Sequence, residues 1–185
     1  RHFFRAGHSL KYSDIKQSVL AIFRQTPAIV PFIKGPPGAG KTALALDIFR
    51  SLDIPEPNIL VLRPSLREAV DFLGVPEVVD HVSQWSPPAE IHQLREGRWG
   101  VLIDELSDAA TSVQNVMCGL VFDRQIGKIS FSPQVYLIAT GNRTRDKSGA
   151  NRVVSKLSNR TLNLQFEADV DDWTDWALGA GIDPM

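Results

Sequence analysis

GPPGAGKT, residues 35–42, decides the fold of this chain. An apolar run, IVPFIK (29–34), leads into it, and ALALDIFRSL (43–52), apolar at helical spacing, leads out. Glycines and prolines between a strand and a helix make a loop whose backbone amides can converge on one point, and Lys-Thr ties that loop to the helix start. Such a loop attracts phosphate through its amides and the helix N-terminus, with the lysine reaching β- and γ-phosphates and the hydroxyl able to hold Mg2+. The pattern G-x-x-x-x-G-K-[ST] is complete. The candidate phosphate-binding residues are therefore Gly35, Pro36, Pro37, Gly38, Ala39, Gly40, Lys41, Thr42 and Ala43, with Thr42 also a candidate metal ligand.

Outward from this loop, strands and helices alternate. The spacing predicts a helix over 14–25, with Ile15, Val19, Ile22 and Phe23 on one face and Ser13 or Asp14 as its cap. It then predicts a short strand near 29–33, a helix over 41–52, a buried strand in NILVLRP (58–64), and a capping box in SLRE (65–68) before a short helix ending at Gly74. Residues 75–98, with Pro76, Pro87 and Pro88, read as irregular. GVLIDEL (100–106), VYLIATGN (135–142) and TLNLQF (161–166) are further strands. A helix spans 109–122, QIGKISF (125–131) is a hairpin around Gly127-Lys128, and another helix starts at Asp169. This alternation argues for an α/β fold with a parallel sheet covered on both faces, and ligands in such sheets sit beyond the carboxyl ends of the strands.

Two of those ends carry chemistry. In VLIDE (101–105) an apolar strand emerges into two carboxylates. Asp104 is the candidate to support Mg2+ through water, and Glu105 the candidate to polarise or orient an attacking water, since phosphoryl transfer needs positioning and charge neutralisation. ATGN (139–142) ends the next strand, where the amide of Asn142 could bond a γ-phosphate or the lytic water.

The rest of the composition narrows the classes. With 185 residues the chain suits one domain, or one plus a fragment of a second, and 43 % hydrophobic with 22 % charged residues is ordinary for a globular protein. A net charge of −1 gives no global pointer to nucleic acid, although a local basic cluster gathers Arg143, Arg145, Lys147, Arg152, Lys156 and Arg160. The single cysteine, Cys118, excludes an internal disulfide and reads as a small core or interface residue. His2, His8, His81 and His92 lack ligand spacing, no apolar run reaches membrane-spanning length, and the N-terminus has no signal-peptide pattern. Without an initiating Met the chain fits a fragment.

Phosphate loop, Asp-Glu strand, ATGN strand and an arginine before a fifth strand together resemble the AAA+ ATPases, in that order. LVFDRQIGKISFSPQVYLIATGNR (120–143) resembles their MoxR-like branch, phage-encoded members included, which carry a short hairpin before the ATGN strand. The resemblance implies a P-loop NTPase with a five-stranded parallel sheet in the order 5-1-4-3-2, a nucleotide-binding core over 1–168, and at 169–185 the start of a helical lid that is mostly absent. It also implies Mg2+-dependent ATP hydrolysis by a remodelling motor or chaperone in a homo-oligomeric ring, a hexamer, in the cytoplasm of a bacterium or of a phage's host. Glu105 and Asn142 would handle the water. Arg160 in LSNR, or Arg152 in GANR, would reach the neighbouring subunit's ATP, a role that suits the planar, permanently charged guanidinium. A non-hydrolysing ATP-dependent scaffold or switch, and a DNA-directed motor using the basic cluster, are the alternatives. Residues 75–98, with Trp85 and the adjoining Trp99, would form a substrate or pore loop or cover the sheet, and Trp173 and Trp176 would anchor a following domain.

Overall fold

The structure is a computed structural model, and it describes residues 9–143, 153–167, 169 and 174. The first helix is α1 (Tyr12–Gln25), followed by strand β1 (Pro31–Gly35), α2 (Lys41–Arg50) and β2 (Ile59–Leu62). Next come the short α3 (Val70–Leu73), a hairpin of β3 (Val75–Val79) and β4 (Val82–Ser86), the single turn α4 (Ala89–His92), and β5 (Trp99–Ile103). The chain continues through α5 (Thr111–Cys118), a small hairpin of β6 (Gln125–Ile126) and β7 (Ile129–Ser130), β8 (Val135–Asn142), α6 (Ser155–Arg160) and β9 (Leu162–Gln165).

Five strands form one sheet in the order β2-β5-β8-β1-β9, and every pairing within it is parallel. The four hairpin strands enter the numbering but not this sheet. Counted without them, the five read 2-3-4-1-5, which is 5-1-4-3-2 from the opposite edge. Parallel neighbours require crossovers, and the crossover helices bury both faces.

Side-chain alternation along the strands divides the core in two. On one face Phe32, Val101, Ile103, Leu137 and Ala139 pack with Phe72, Ile91, Leu94, Val113 and Met117. On the other, Ile33, Leu102, Ile138 and Leu164 pack under Ile15, Val19 and Phe23 of α1 and Leu44, Ala45, Ile48 and Phe49 of α2. Cys118 is half-buried against the first cluster, and burial pushes its thiol above the ordinary range.

Several expectations need correction. The first helix begins at Tyr12 with Lys11 at its N-cap, and neither Ser13 nor Asp14 caps it. The chain arrives there pinned by Leu10, whose N–H donates to Gln165 O at 2.7 Å and whose carbonyl accepts from Glu167 N at 3.1 Å, so the helix starts immediately afterwards. The strand near 29–33 lies instead at Pro31–Gly35, running into the glycine loop. SLRE is not a capping box: Pro64–Leu66 is a 3-10 turn, α3 starts at Val70, and the Ser65 hydroxyl bonds elsewhere. The helix expected over 109–122 is α5 followed by a π-helical turn, Gly119–Asp123.

Residues 75–98 are not irregular. They hold the β3–β4 hairpin, whose turn residues Asp80 (φ 51°) and His81 (φ 64°) both lie in the left-handed region. Its Val75, Val78, Val79, Val82 and Trp85 are exposed, so the hairpin itself does not cover the sheet, whereas Ile91 and Leu94 later in the same stretch are buried in the core against it. Gly74 makes its base: with φ 86°, and with a Cβ there falling 1.8 Å from Ser86 O, only glycine fits. Among the described residues no helix is long and apolar enough to cross a membrane.

Candidate active site

The carboxyl ends of β1, β5 and β8 are neighbours in the sheet, and the residues singled out in the sequence emerge there. Register fixes the placement: Gly35 lies beside Asn142, and Ile103, one residue before Asp104, lies beside Ala139. The glycine loop leaves β1 and turns through Gly38 (φ 73°) and Gly40 (φ 89°), with Gly40 at the N-cap of α2. A side chain at either position would hold the loop in a strained conformation. Gly35 is needed for another reason, because a Cβ there would sit 2.8 Å from Phe166 O.

Lys41 opens α2 and is buried, with 8 % of its surface exposed. Its ammonium donates to Gly35 O at 3.1 Å, Pro36 O at 2.7 Å and Asn142 Oδ1 at 3.0 Å. The lysine thus bridges its own loop and the end of β8.

Thr42 donates its hydroxyl to the Asp104 carboxylate, at 3.0 Å from Oδ1 and 3.2 Å from Oδ2. Asp104 is 5 % exposed, and burying a carboxylate is costly unless donors meet its oxygens. A second is Thr140, fully buried, whose hydroxyl donates to Asp104 Oδ1 at 2.6 Å. A longer ion pair to Arg63 Nε, at 3.9 Å, completes its surroundings.

Glu105 follows in a left-handed conformation, φ 55° and ψ 37°, which a non-glycine residue adopts only when held there. Its N–H donates to Thr140 Oγ1 at 3.1 Å, and its exposed carboxylate accepts from Ser65 Oγ at 3.3 Å. The kink turns Glu105 outward while Asp104 stays inside. Lys34, one residue before the loop, lies over the Phe32 ring at 4.5 Å, and burial lowers its pKa.

Asn142 is held on three sides. Its backbone N–H donates to Ser107 Oγ at 2.8 Å, its Nδ2 donates to Asp108 Oδ2 at 3.0 Å, and its Oδ1 accepts from Lys41. Ser107 in turn donates to Asp108 Oδ1 at 2.9 Å. The close approach requires Gly141, where a Cβ would meet Phe32 Cε2 at 2.9 Å and Ser107 Oγ at 3.1 Å.

The structure therefore brings two hydrogen-bonded pairs, Lys41 with Asn142 and Thr42 with Asp104, to neighbouring strand ends, with Glu105 at the rim. Arg160 is placed apart, exposed at the end of α6 with its guanidinium 5.0 Å over the Phe122 ring. Arg152, Arg145 and Lys147 lie outside the described residues, as do Trp173 and Trp176. Sequence reasoning missed Thr140, Ser107, Asp108, Ser65 and Arg63. One signal for Thr140 was present: a polar residue at a core-facing position of an otherwise apolar strand.

Residues 31–161 match the family model of the AAA domain, dynein-related subfamily. No curated protein matches the chain. Among solved structures it is similar to the P216G mutant of RuvB from Thermotoga maritima, with 22 % identity and a TM-score of 0.62 over 91 % of this chain and 50 % of that one. A candidate ATPase from Cytophaga hutchinsonii shows 13 % identity and a TM-score of 0.61 over 91 % of this chain and 50 % of that one. NtrX from Brucella abortus, in complex with ATP, shows 18 % identity and a TM-score of 0.55 over 99 % of this chain and 43 % of that one. These likenesses are of fold, and the chain spans half or less of the length of each of these solved chains.

Proposed function

The chain belongs to the dynein-related subfamily of AAA domains, and from that membership and the site geometry we propose that it binds ATP with Mg2+ and hydrolyses it. The observation that carries this reading is the convergence of Lys41, Thr42, Asp104 and Asn142 from three adjacent strand ends onto one edge of the sheet.

The residues present suit the chemistry. Lys41 donates to two neutral carbonyls and an amide oxygen, and the charged oxygens of a triphosphate are stronger acceptors for the same three hydrogens. Thr42 and Asp104 present only oxygen donors, as a hard cation requires, and the Thr42 hydroxyl already spends its hydrogen on Asp104, leaving lone pairs for a metal. When bound, Mg2+ would neutralise charge on the β- and γ-phosphate oxygens. Glu105, exposed and with its carboxylate accepting from Ser65, is the group to take or orient the proton of an attacking water, and Asn142 would assist it.

In this reading residues 1–168 are the nucleotide core and 169–185 open a helical lid. The core works as part of a MoxR-like remodelling motor or chaperone in a homo-oligomeric ring, a hexamer, with Arg160 serving the neighbour's ATP and Arg152 as the second candidate. Exposure of Arg160 at the end of α6 supports its availability to a neighbour.

The test is steady-state ATP hydrolysis with and without Mg2+. Glu105→Gln should reduce turnover by about 10²–10⁴-fold while nucleotide binding persists. Turnover per chain should rise with protein concentration, and Arg160→Ala should remove that rise. Unchanged turnover in Glu105→Gln would refute the assigned chemistry, and concentration-independent turnover would refute the shared site.

A further inference from the structure

The amide of Asn142 can lie in its place either way round, and its two faces meet opposite chemistries. One face meets the Lys41 ammonium, which only donates, and the other meets the Asp108 carboxylate, which only accepts. One orientation satisfies both: Oδ1 toward Lys41 and Nδ2 toward Asp108. The reverse places a donor against the ammonium and an acceptor against the carboxylate.

Asp108 is itself fixed. Ser107, 1 % exposed, donates to Asp108 Oδ1 and accepts from the backbone N–H of Asn142. The hydroxyl has a single hydrogen, so this direction is determined. Asn142 N, Ser107 Oγ, Asp108 and Asn142 Nδ2 thus close a ring in which the carboxylate accepts at both oxygens. Along the arm from Asn142 N through Ser107 to the carboxylate, the first bond strengthens the hydroxyl as a donor in the second. Gly141 lets the ring close, because a Cβ there would press on both Ser107 and Phe32.

We propose that Asp108, seated by Ser107, is a positioning residue that orients the Asn142 side chain with its oxygen toward Lys41, so that Asn142 enters the reaction as an acceptor on the phosphate side. The proposal rests on the ATPase reading for its catalytic consequence. When phosphate draws the Lys41 ammonium, the freed Oδ1 faces the reacting groups as a lone-pair donor to a water O–H. In this proposal Asp108 acts on the reaction through Asn142 alone.

Two measurements on the whole chain test this. The first is independent of catalysis: the side-chain NH2 signal of Asn142 in a proton–nitrogen correlation spectrum. A hydrogen bond to carboxylate should shift one of its two protons downfield and protect it from exchange. Asp108→Leu should abolish both effects, and Asp108→Asn, which keeps an acceptor oxygen, should restore part of them. A solvent-like NH2 signal in the unsubstituted chain, or one unchanged in Asp108→Leu, would overturn the proposal.

The second is a double-mutant cycle on ATP turnover. Asp108→Leu should lower kcat at least about fivefold with little change in KM, and it should cost nothing more once Asn142 is alanine. Additive losses in the double variant would overturn the proposal. If the unsubstituted chain proves inactive toward ATP while the NMR signature holds, the orientation stands and the ATPase reading falls.

Discussion

Thr140→Val is the most informative single change, because it removes one hydrogen-bond donor and one acceptor while keeping the shape of the side chain. Thr140 is fully buried, its hydroxyl donates to the Asp104 carboxylate at 2.6 Å, and it accepts from the Glu105 N–H at 3.1 Å. Bonds to a charged group contribute about 2 kcal/mol and a neutral one about 1 kcal/mol, so roughly 3 kcal/mol is at stake. Replacing the hydroxyl by a methyl in an apolar strand returns about 1 kcal/mol of burial. The net loss should be about 2 kcal/mol, or a fall in melting temperature of about 4–8 °C for a chain of this size. Thr140→Ser is the control: it keeps both hydrogen bonds and loses one methyl, at a cost of about 1 kcal/mol.

Urea unfolding followed by circular dichroism measures both variants, and ATP turnover as a function of Mg2+ concentration follows the site. The expected order of stability is unsubstituted, then Ser, then Val, although Val fills the space better. Val should also need more Mg2+, because Asp104 and the kink at Glu105 lose their common anchor. If the Val variant is as stable as the unsubstituted chain, or more stable than Ser, the polar anchoring argued for Thr140 is wrong.

Two further changes probe other parts of the fold. Gly141→Ala should cost about 1–3 kcal/mol by overpacking and should depress ATP turnover more than nucleotide binding, since the added Cβ presses on Phe32 and Ser107; calorimetric titration beside a turnover assay separates the two. Burial, followed by the 2.8 Å hydrogen bond to Asp47, raises the pKa of the Tyr12 phenol above its usual value. The native chain therefore keeps that proton to higher pH than the unfolded chain, so its contribution is present below pH of about 10 and is lost as pH rises further. Tyr12→Phe should flatten the alkaline fall in stability, and an unchanged slope would count against the burial of this hydroxyl.

Local chemistry made much of the fold legible. The glycine loop, the apolar strands and the amphipathic first helix are short-range patterns, and β8 spans the residues that VYLIATGN marks out. The β3–β4 hairpin was not legible, because its turn is Asp80-His81, without the glycine that advertises two consecutive positive φ angles, and its strands carry exposed valines rather than one buried face. Ser65 misled for a related reason: its spacing to Glu68 suits a helix cap, yet its hydroxyl finds an acceptor in Glu105, a residue distant in sequence.

By itself the sequence determined that a phosphate loop, an acidic strand and an asparagine strand exist and follow in that order, since each is written in contiguous residues. Only the tertiary structure decided how they act together. Parallel pairing of β1, β8 and β5 carries Lys41, Asn142 and Asp104 to one edge. The buried hydroxyls of Thr140 and Ser107 and the carboxylate of Asp108 then fix which atom of each group faces the next. Those choices rest on donors and acceptors that must be satisfied once water is excluded, and their partners lie in segments that folding alone brings together.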